Sequence, residues 1–223
     1  MEKSDKVRHY ADEEIDITYD SLRCIHVAEC LRGLPAVFNT ARRPWILPTG
    51  AGADAIAAVI GKCPTGALHF TRRDGSVGEV PPENNTIVPT SGGPLYVRGR
   101  VQLRSADGTL IVEDVRLALC RCGQSHNKPF CDNSHRGSGF KDPGAVAGGG
   151  ALAETETNDV LAITASADGP LLVEGAFVLR GAGGLGQYEG THVELCRCGA
   201  SRNKPFCDGT HQQIGFRSSS AES

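Results

Sequence analysis

The sequence predicts an α+β module at the N-terminus followed by two small β-rich units packed on each other as a pseudo-two-fold pair. Three observations predict it. Nine cysteines fall into three groups of three: Cys24, Cys30 and Cys63; Cys120, Cys122 and Cys131; and Cys196, Cys198 and Cys207. The stretch from Gly92 to Phe140 aligns without a gap to Asp168 to Phe216, at a constant offset of 76 residues, and two copies of a whole unit mark a structural repeat. The 223 residues include 28 glycines but only 7 Phe, 4 Tyr and 1 Trp, so something besides aromatic packing is expected to hold parts of the chain together.

In the first module EIDITY is a strand leading into the cysteine segment LRCIHVAEC. The alanine-rich run from about Ala53 to Gly61 has helical character, and a short strand follows near Ala67 to Phe70. Within each repeat, PLYVRGRVQL and PLLVEGAFVL read as strands interrupted by a glycine that marks a bend or bulge, and LIVEDVRLAL and QYEGTHVEL supply a second strand. The stretches CRCGQSHNKPFCDNSH and CRCGASRNKPFCDGTH are crowded with Gly, Asn, Pro and Asp and read as loops, with a helical turn only at the Cys-Asp-x-x-His end. A break at VPPENNTIVPTSGG and a Gly/Ala-rich connector over residues 141–160 divide the chain into modules 1–84, 85–150 and 151–223. Each repeat unit is too small to be stable alone, so side-by-side strand packing with help from bound metal is expected.

Composition excludes several classes of function. Lys plus Arg total 23 against 26 Asp plus Glu, a net charge of −3, so there is no basic excess for nucleic acid. No apolar run reaches the length that spans lipid, and the N-terminus MEKSDKVRHYADEEIDI has no signal-peptide core. An odd cysteine count disfavours a fully paired disulfide scaffold. The expected setting is therefore cytoplasmic and reducing, where clustered thiols mean metal.

Each repeat carries C-x-C-x8-C-x3-H: Cys120, Cys122, Cys131 and His135, then Cys196, Cys198, Cys207 and His211. Four donors suit either one tetrahedral zinc or two irons bridged by sulfides, each iron taking two protein ligands. A one-residue gap between the first two cysteines is shorter than zinc knuckles usually have. Asp132, Asp208, Lys128 and Lys204 flank the donors, and His126 has Arg202 as its counterpart.

The two loops resemble the CDGSH iron-sulfur domain, the family of the mitoNEET-type proteins. The resemblance implies a [2Fe-2S] cluster in each unit, with Cys120 and Cys122 on one iron and Cys131 and His135 on the other. Cys196, Cys198, Cys207 and His211 repeat the arrangement. Asn133 stands where the family has glycine, which predicts a difference in loop geometry between the copies. A histidine ligand leaves a cluster less negative than four thiolates do, so a raised potential is implied.

Residues 7 to 80 resemble divergent single-cluster ferredoxin domains, with C-x5-C at Cys24 and Cys30, the segment RRPWI, and CPTGA at Cys63. The resemblance implies a [3Fe-4S] or [4Fe-4S] cluster on Cys24, Cys30 and Cys63. Val27 occupies the place of a fourth cysteine, and His26 is the nearest candidate for another ligand. Trp45, Val37 and Phe38 are expected in the core and around the cluster. The whole reads as a ferredoxin-like module joined to two CDGSH-type units.

The function predicted is an iron-sulfur protein in electron transfer, redox sensing or cluster transfer, acting on an unnamed redox or cluster-acceptor protein. The competing reading is a zinc-binding structural or interaction module on the same Cys3His sites. No nucleotide loop, HExxH helix or nucleophile elbow is present, so no enzymatic activity is expected. Two units in one chain supply their own pairing, which predicts a monomer.

Overall fold

The chain divides into two compact units, residues 1–80 and 81–223. The structure, a computed structural model, describes residues 7–149 and 160–218.

In the first unit β1 (Val7–Ala11), β2 (Ile15–Asp20) and β3 (Leu68–Arg72) form an antiparallel sheet in the order β1-β2-β3. Ile15 and Ile17, two residues apart on β2, turn to one face and are fully buried, as period-two alternation requires. They meet α2 (Ala53–Ile60), whose Ile56, Val59 and Ile60 recur at helical spacing and point inward. Burying Ile56 and Ile60 contributes roughly 1.5–3 kcal/mol each. A one-turn helix, α1 (Glu29–Gly33), follows the first cysteine segment. The predicted strands and helix of this unit are all present; β1 and α1 are additional.

The second unit is built from β4 (Thr86–Pro89), β5 (Leu95–Ser105), β6 (Leu110–Leu119), β7 (Leu161–Ala165), β8 (Leu171–Arg180) and β9 (Gln187–Leu195), with a short α3 (Thr210–Gln213) near its end. Hairpins β5–β6 and β8–β9 are the two repeats. β4 pairs antiparallel with β5 and parallel with β8, while β7 pairs antiparallel with β8 and parallel with β5. The cross-copy registers are reciprocal: Thr86 faces Val178 and Ile87 faces Leu179, while Ala162 faces Gln102 and Ile163 faces Leu103, each the image of the other at the repeat offset. Leu95, Val97, Val101, Leu103, Leu161, Ile163, Leu171, Val173, Phe177 and Leu179 from both copies fill one core.

β4 lies inside VPPENNTIVPTSGG, so this break contains a strand. The two prolines and two asparagines at its start conceal the short apolar run Ile87-Val88. The connector also needs correction over its described part. Val146 is buried in the core, its amide donates to the Leu185 carbonyl at 2.8 Å, and the Ala182 amide donates to the Gly144 carbonyl at 2.8 Å. Residues 144–149 therefore pack on the second repeat; the connector residues 150–159 lie outside the described residues.

The glycines predicted to bend the long strands do so: register shifts fall at Arg98/Val101 and at Glu174/Phe177, around Gly99 and Gly175, both at positive φ. Among the described residues no helix is long and apolar enough to cross a membrane.

Candidate metal centres

β6 and β9 each deliver a cysteine at their ends, and the following loop folds back onto the strand. The Cys131 amide donates to the Ala118 carbonyl and the Cys120 amide to the Pro129 carbonyl, both at 2.9 Å. In the second copy Cys207 bonds Glu194 at 2.9 Å and Cys196 bonds Pro205 at 2.8 Å. These bonds bring the distal cysteine back beside the proximal pair.

The donors then stand as close pairs. Sγ of Cys120 and Cys122 are 3.7 Å apart, and Cys131 Sγ is 3.4 Å from His135 Nδ1. The second copy repeats both distances for Cys196 with Cys198 and for Cys207 with His211. Cys120, Cys122, Cys131, Cys196 and Cys198 are buried, Cys207 is half-buried, and both histidines are half-exposed. In each Cys-x-Cys pair the hydrogen bond between the sulfurs lowers one thiol and raises the other. Burial, and then the charge of Cys120, push Cys131 up to about 11, so the two pairs of one copy feel each other. Burial and the neighbouring Arg136 lower His135, favouring the neutral imidazole that binds metal.

The flanking polar residues brace the loops. Ser125 Oγ donates to the Phe130 carbonyl at 2.7 Å and accepts from the Asn127 amide; Ser201, Phe206 and Asn203 do the same. Lys128 and Lys204 each donate to a loop carbonyl, that of Ser125 or Ser201. Asp132 accepts from the amides of His126 and Ser134, and Asp208 from those of Arg202 and Thr210. Burial pushes the Asp132 carboxyl up, but the Ser134 and His126 bonds prevail and hold it at about 2. Asn133 and Gly209 adopt the same left-handed conformation, φ 76° and 82°, so the expected difference in loop geometry does not arise there. Amides of Gln124, Asn133 and Ala200 reach Cys122, Cys131 and Cys198 Sγ at 3.4–3.5 Å, placing positive dipoles on the donors.

The two Cys-x-Cys steps also lie back to back. A side chain at Gly123 would place its Cβ 2.5 Å from the Cys198 carbonyl, and one at Gly199 would meet the Cys122 carbonyl at 2.6 Å; both glycines have positive φ. We expect Gly123→Ala to cost on the order of 2–3 kcal/mol, read as a fall in the thermal midpoint. A midpoint equal to wild type would show that the two loops do not meet.

In the first unit Cys24, Cys30 and Cys63 line one small cavity of about 30 Å³ with Tyr19, Trp45 and Pro64. All three thiols are half-buried. Burial, then Cys63 and Cys24, push the Cys30 thiol up to about 11, and burial with the Cys24 contact raises Tyr19. His26 Nδ1 is 3.9 Å from Cys24 Sγ, and His26 and Ala28 both have positive φ, a strained loop of the kind found at functional sites. Trp45 packs edge-on against Tyr19, with ring centroids 4.9 Å apart, while Val37 and Phe38 are core. Cys24, Cys30 and His26 also border an open cavity of about 480 Å³. Among the described residues, no three Cys, His, Asp or Glu side chains converge on a point that would hold a single ion.

Residues that sequence reasoning passed over are Tyr19 and the buried arginines Arg121 and Arg197. The signal for the arginines was legible: the same residue stands between the first two cysteines of both copies.

Residues 10–73 match the family described as "Divergent 4Fe-4S mono-cluster", and residues 92–136 and 168–212 each match "Iron-binding zinc finger CDGSH type". The "Uncharacterized protein YjdI" of Escherichia coli (strain K12) is 36% identical over 66 residues, 30% of this chain and 87% of that protein. The protein of the same name from Escherichia coli O157:H7 gives the same figures. No solved structure matches. The chain thus belongs to the iron-sulfur proteins, joining a divergent 4Fe-4S mono-cluster domain to two CDGSH-type iron-binding units.

Proposed function

We propose that this protein is an electron carrier rather than an enzyme. In this reading it holds two [2Fe-2S] clusters, one on Cys120, Cys122, Cys131 and His135 and one on Cys196, Cys198, Cys207 and His211. A [3Fe-4S] or [4Fe-4S] cluster sits on Cys24, Cys30 and Cys63. The observation that carries it is the pairing of donors. Two sulfurs bound at about 2.3 Å to one tetrahedral metal stand about 3.8 Å apart, and a sulfur and an imidazole nitrogen about 3.5 Å. The pairs here measure 3.7 Å and 3.4 Å, which suits two metals with two ligands each. A lone tetrahedral zinc would gather all four donors around one point.

When bound, each cluster supplies a one-electron redox couple. The chain's own residues bury the sulfurs, aim amides at them, and brace the loop through Ser125, Asp132 and their counterparts. Such bracing favours retention of the cluster over its transfer to an acceptor. In the first unit the mutual repulsion of three half-buried thiolates is relieved by positive iron. His135 and His211, both half-exposed, mark the face for an electron-transfer partner protein.

The architecture we infer is a ferredoxin-like module followed by a pseudo-two-fold pair of CDGSH-type units, for which the reciprocal registers of β4 with β8 and β7 with β5 are the support. Such internal pairing favours a monomer. Anaerobic purification followed by iron and acid-labile sulfide quantification with Mössbauer spectroscopy tests the reading. Two two-iron centres and one larger centre are expected; colourless protein with stoichiometric zinc would overturn it.

A further inference from the structure

Arg121 and Arg197 occupy the same place in the two copies, between the cysteines of each Cys-x-Cys step, and each is 2% exposed. Both guanidinium groups lie over an aromatic ring, Phe140 at 5.1 Å and Phe216 at 5.6 Å. Both donate from Nε and Nη2 to backbone carbonyls: Gly93 and Thr90 in the first copy, Gly169 and Ser166 in the second. They differ at the third nitrogen. Nη1 of Arg121 donates to Asp142 Oδ1 at 2.5 Å, a carboxylate 11% exposed.

The counterpart of Asp142 is Ser218, and the second copy carries its carboxylate instead at Asp168, where the first has Gly92. Asp168 is 37% exposed and accepts from Arg217 at 2.7 Å, from the Ser218 amide at 2.7 Å and from its hydroxyl at 3.1 Å. It acts on Arg197 only from a distance, as does Cys120 of the other copy. Among the described residues Arg197 touches no carboxylate. Lys141 and Arg217 are also counterparts, so the charge count of this arginine corner is the same in both copies and only the contact differs there.

We propose that this exchange of carboxylate positions makes the two CDGSH-type centres inequivalent, so that the centre on Cys196, Cys198, Cys207 and His211 accepts an electron before the centre on Cys120, Cys122, Cys131 and His135. The inference rests on the electron-carrier reading. Reduction takes one electron from a one-electron donor, which is oxidised by one, and adds one negative charge to the site without a proton or leaving group. A buried guanidinium stabilises that added charge. Asp142, buried and in contact, opposes the field of Arg121 directly. Asp168, solvated and shared with Arg217, offsets less of the field of Arg197.

Charge-conserving transplants test it. Gly92 and Asp168 share a left-handed conformation, φ 54° and 49°, and a Cβ at Gly92 meets nothing nearer than the Phe140 carbonyl at 3.7 Å. Both D168G/S218D and G92D/D142S therefore suit the backbone. The full-length protein is titrated anaerobically with dithionite and followed by EPR, which separates two-iron from larger centres. His211→Cys, which adds a negative ligand, marks the wave of the second copy by lowering it. Two two-iron waves are expected, separated by at least a tenfold population ratio, about 59 mV for one electron, with the second copy uppermost. D168G/S218D lowers the upper wave more than the lower one, and G92D/D142S raises the lower wave more than the upper one. Should a transplant lose its cluster, Arg197→Gln lowers the upper wave while Arg197→Lys retains it. A single wave in wild-type protein, a reversed order, or waves unmoved by the variants overturns the inference. Iron and sulfide measured on the same samples separate that outcome from failure of the carrier reading, which would show as missing clusters.

Discussion

Arg121→Met is expected to lower the stability of the second unit by about 3–5 kcal/mol, because it strips a buried carboxylate of its counter-ion. The loss goes beyond one ion pair. Arg121 also donates to the carbonyls of Gly93 and Thr90, and Asp142 accepts the Gly144 amide at 2.9 Å. The arginine thus ties the entry of the first repeat to the segment that leaves it. Methionine matches much of the volume but satisfies none of these acceptors. Arg197→Met breaks two carbonyl contacts and leaves no buried carboxylate behind, so a smaller loss of about 1–3 kcal/mol is expected. Denaturant melts of both variants, checked for cluster content, measure the contrast. Equal losses would show that the Asp142 contact contributes nothing.

Cys131→Ala and Cys207→Ala are each expected to remove about half of the two-iron content, while Cys63→Ala removes the larger centre alone. In the proposed arrangement each centre draws all its ligands from one copy, or from the first unit, so a missing thiolate would disable one site. Loss of a cluster leaves buried thiols without a counter-charge and a polar loop, residues 120–135 or 196–211, with little apolar area of its own. That loop is expected to loosen while the sheet persists on its shared core. Iron and sulfide per chain, read beside far-UV circular dichroism, check both halves of this expectation. If either single variant empties both two-iron sites, the back-to-back contact at Gly123 and Gly199 couples their assembly.

Much of the local structure was legible from residue patterns. LIVEDVRLAL is a strand over the residues expected, the helix after Gly52 runs through the alanine-rich segment, and Gly99 and Gly175 mark the bulges. Each of these depends on period, propensity or a missing Cβ, which neighbouring residues reveal. β4 was not legible. Its four residues, Thr-Ile-Val-Pro, are held by pairing to β5 and to the distant β8, and a run so short has too little periodicity to announce itself. The packing of residues 144–149 was hidden likewise, since glycine and alanine there read as a connector until Val146 is seen in the core.

The sequence by itself determined which residues are candidate donors, because a ligand set is a matter of residue type and spacing, and spacing survives without tertiary information. It also determined that the units come as a repeat. Only the tertiary structure decided that the donors of each loop stand as two close pairs, that β4 and β7 are exchanged between the copies in register, and that the two buried arginines have different neighbours. These depend on contacts between residues distant in the chain: Asp142 lies 21 positions from Arg121, and the Gly123–Cys198 approach joins one copy to the other. An identical Cys-Arg-Cys step cannot report a carboxylate that has moved from one side of the repeat to the other. Charge environment is set by what folds against a residue rather than by what adjoins it in the chain.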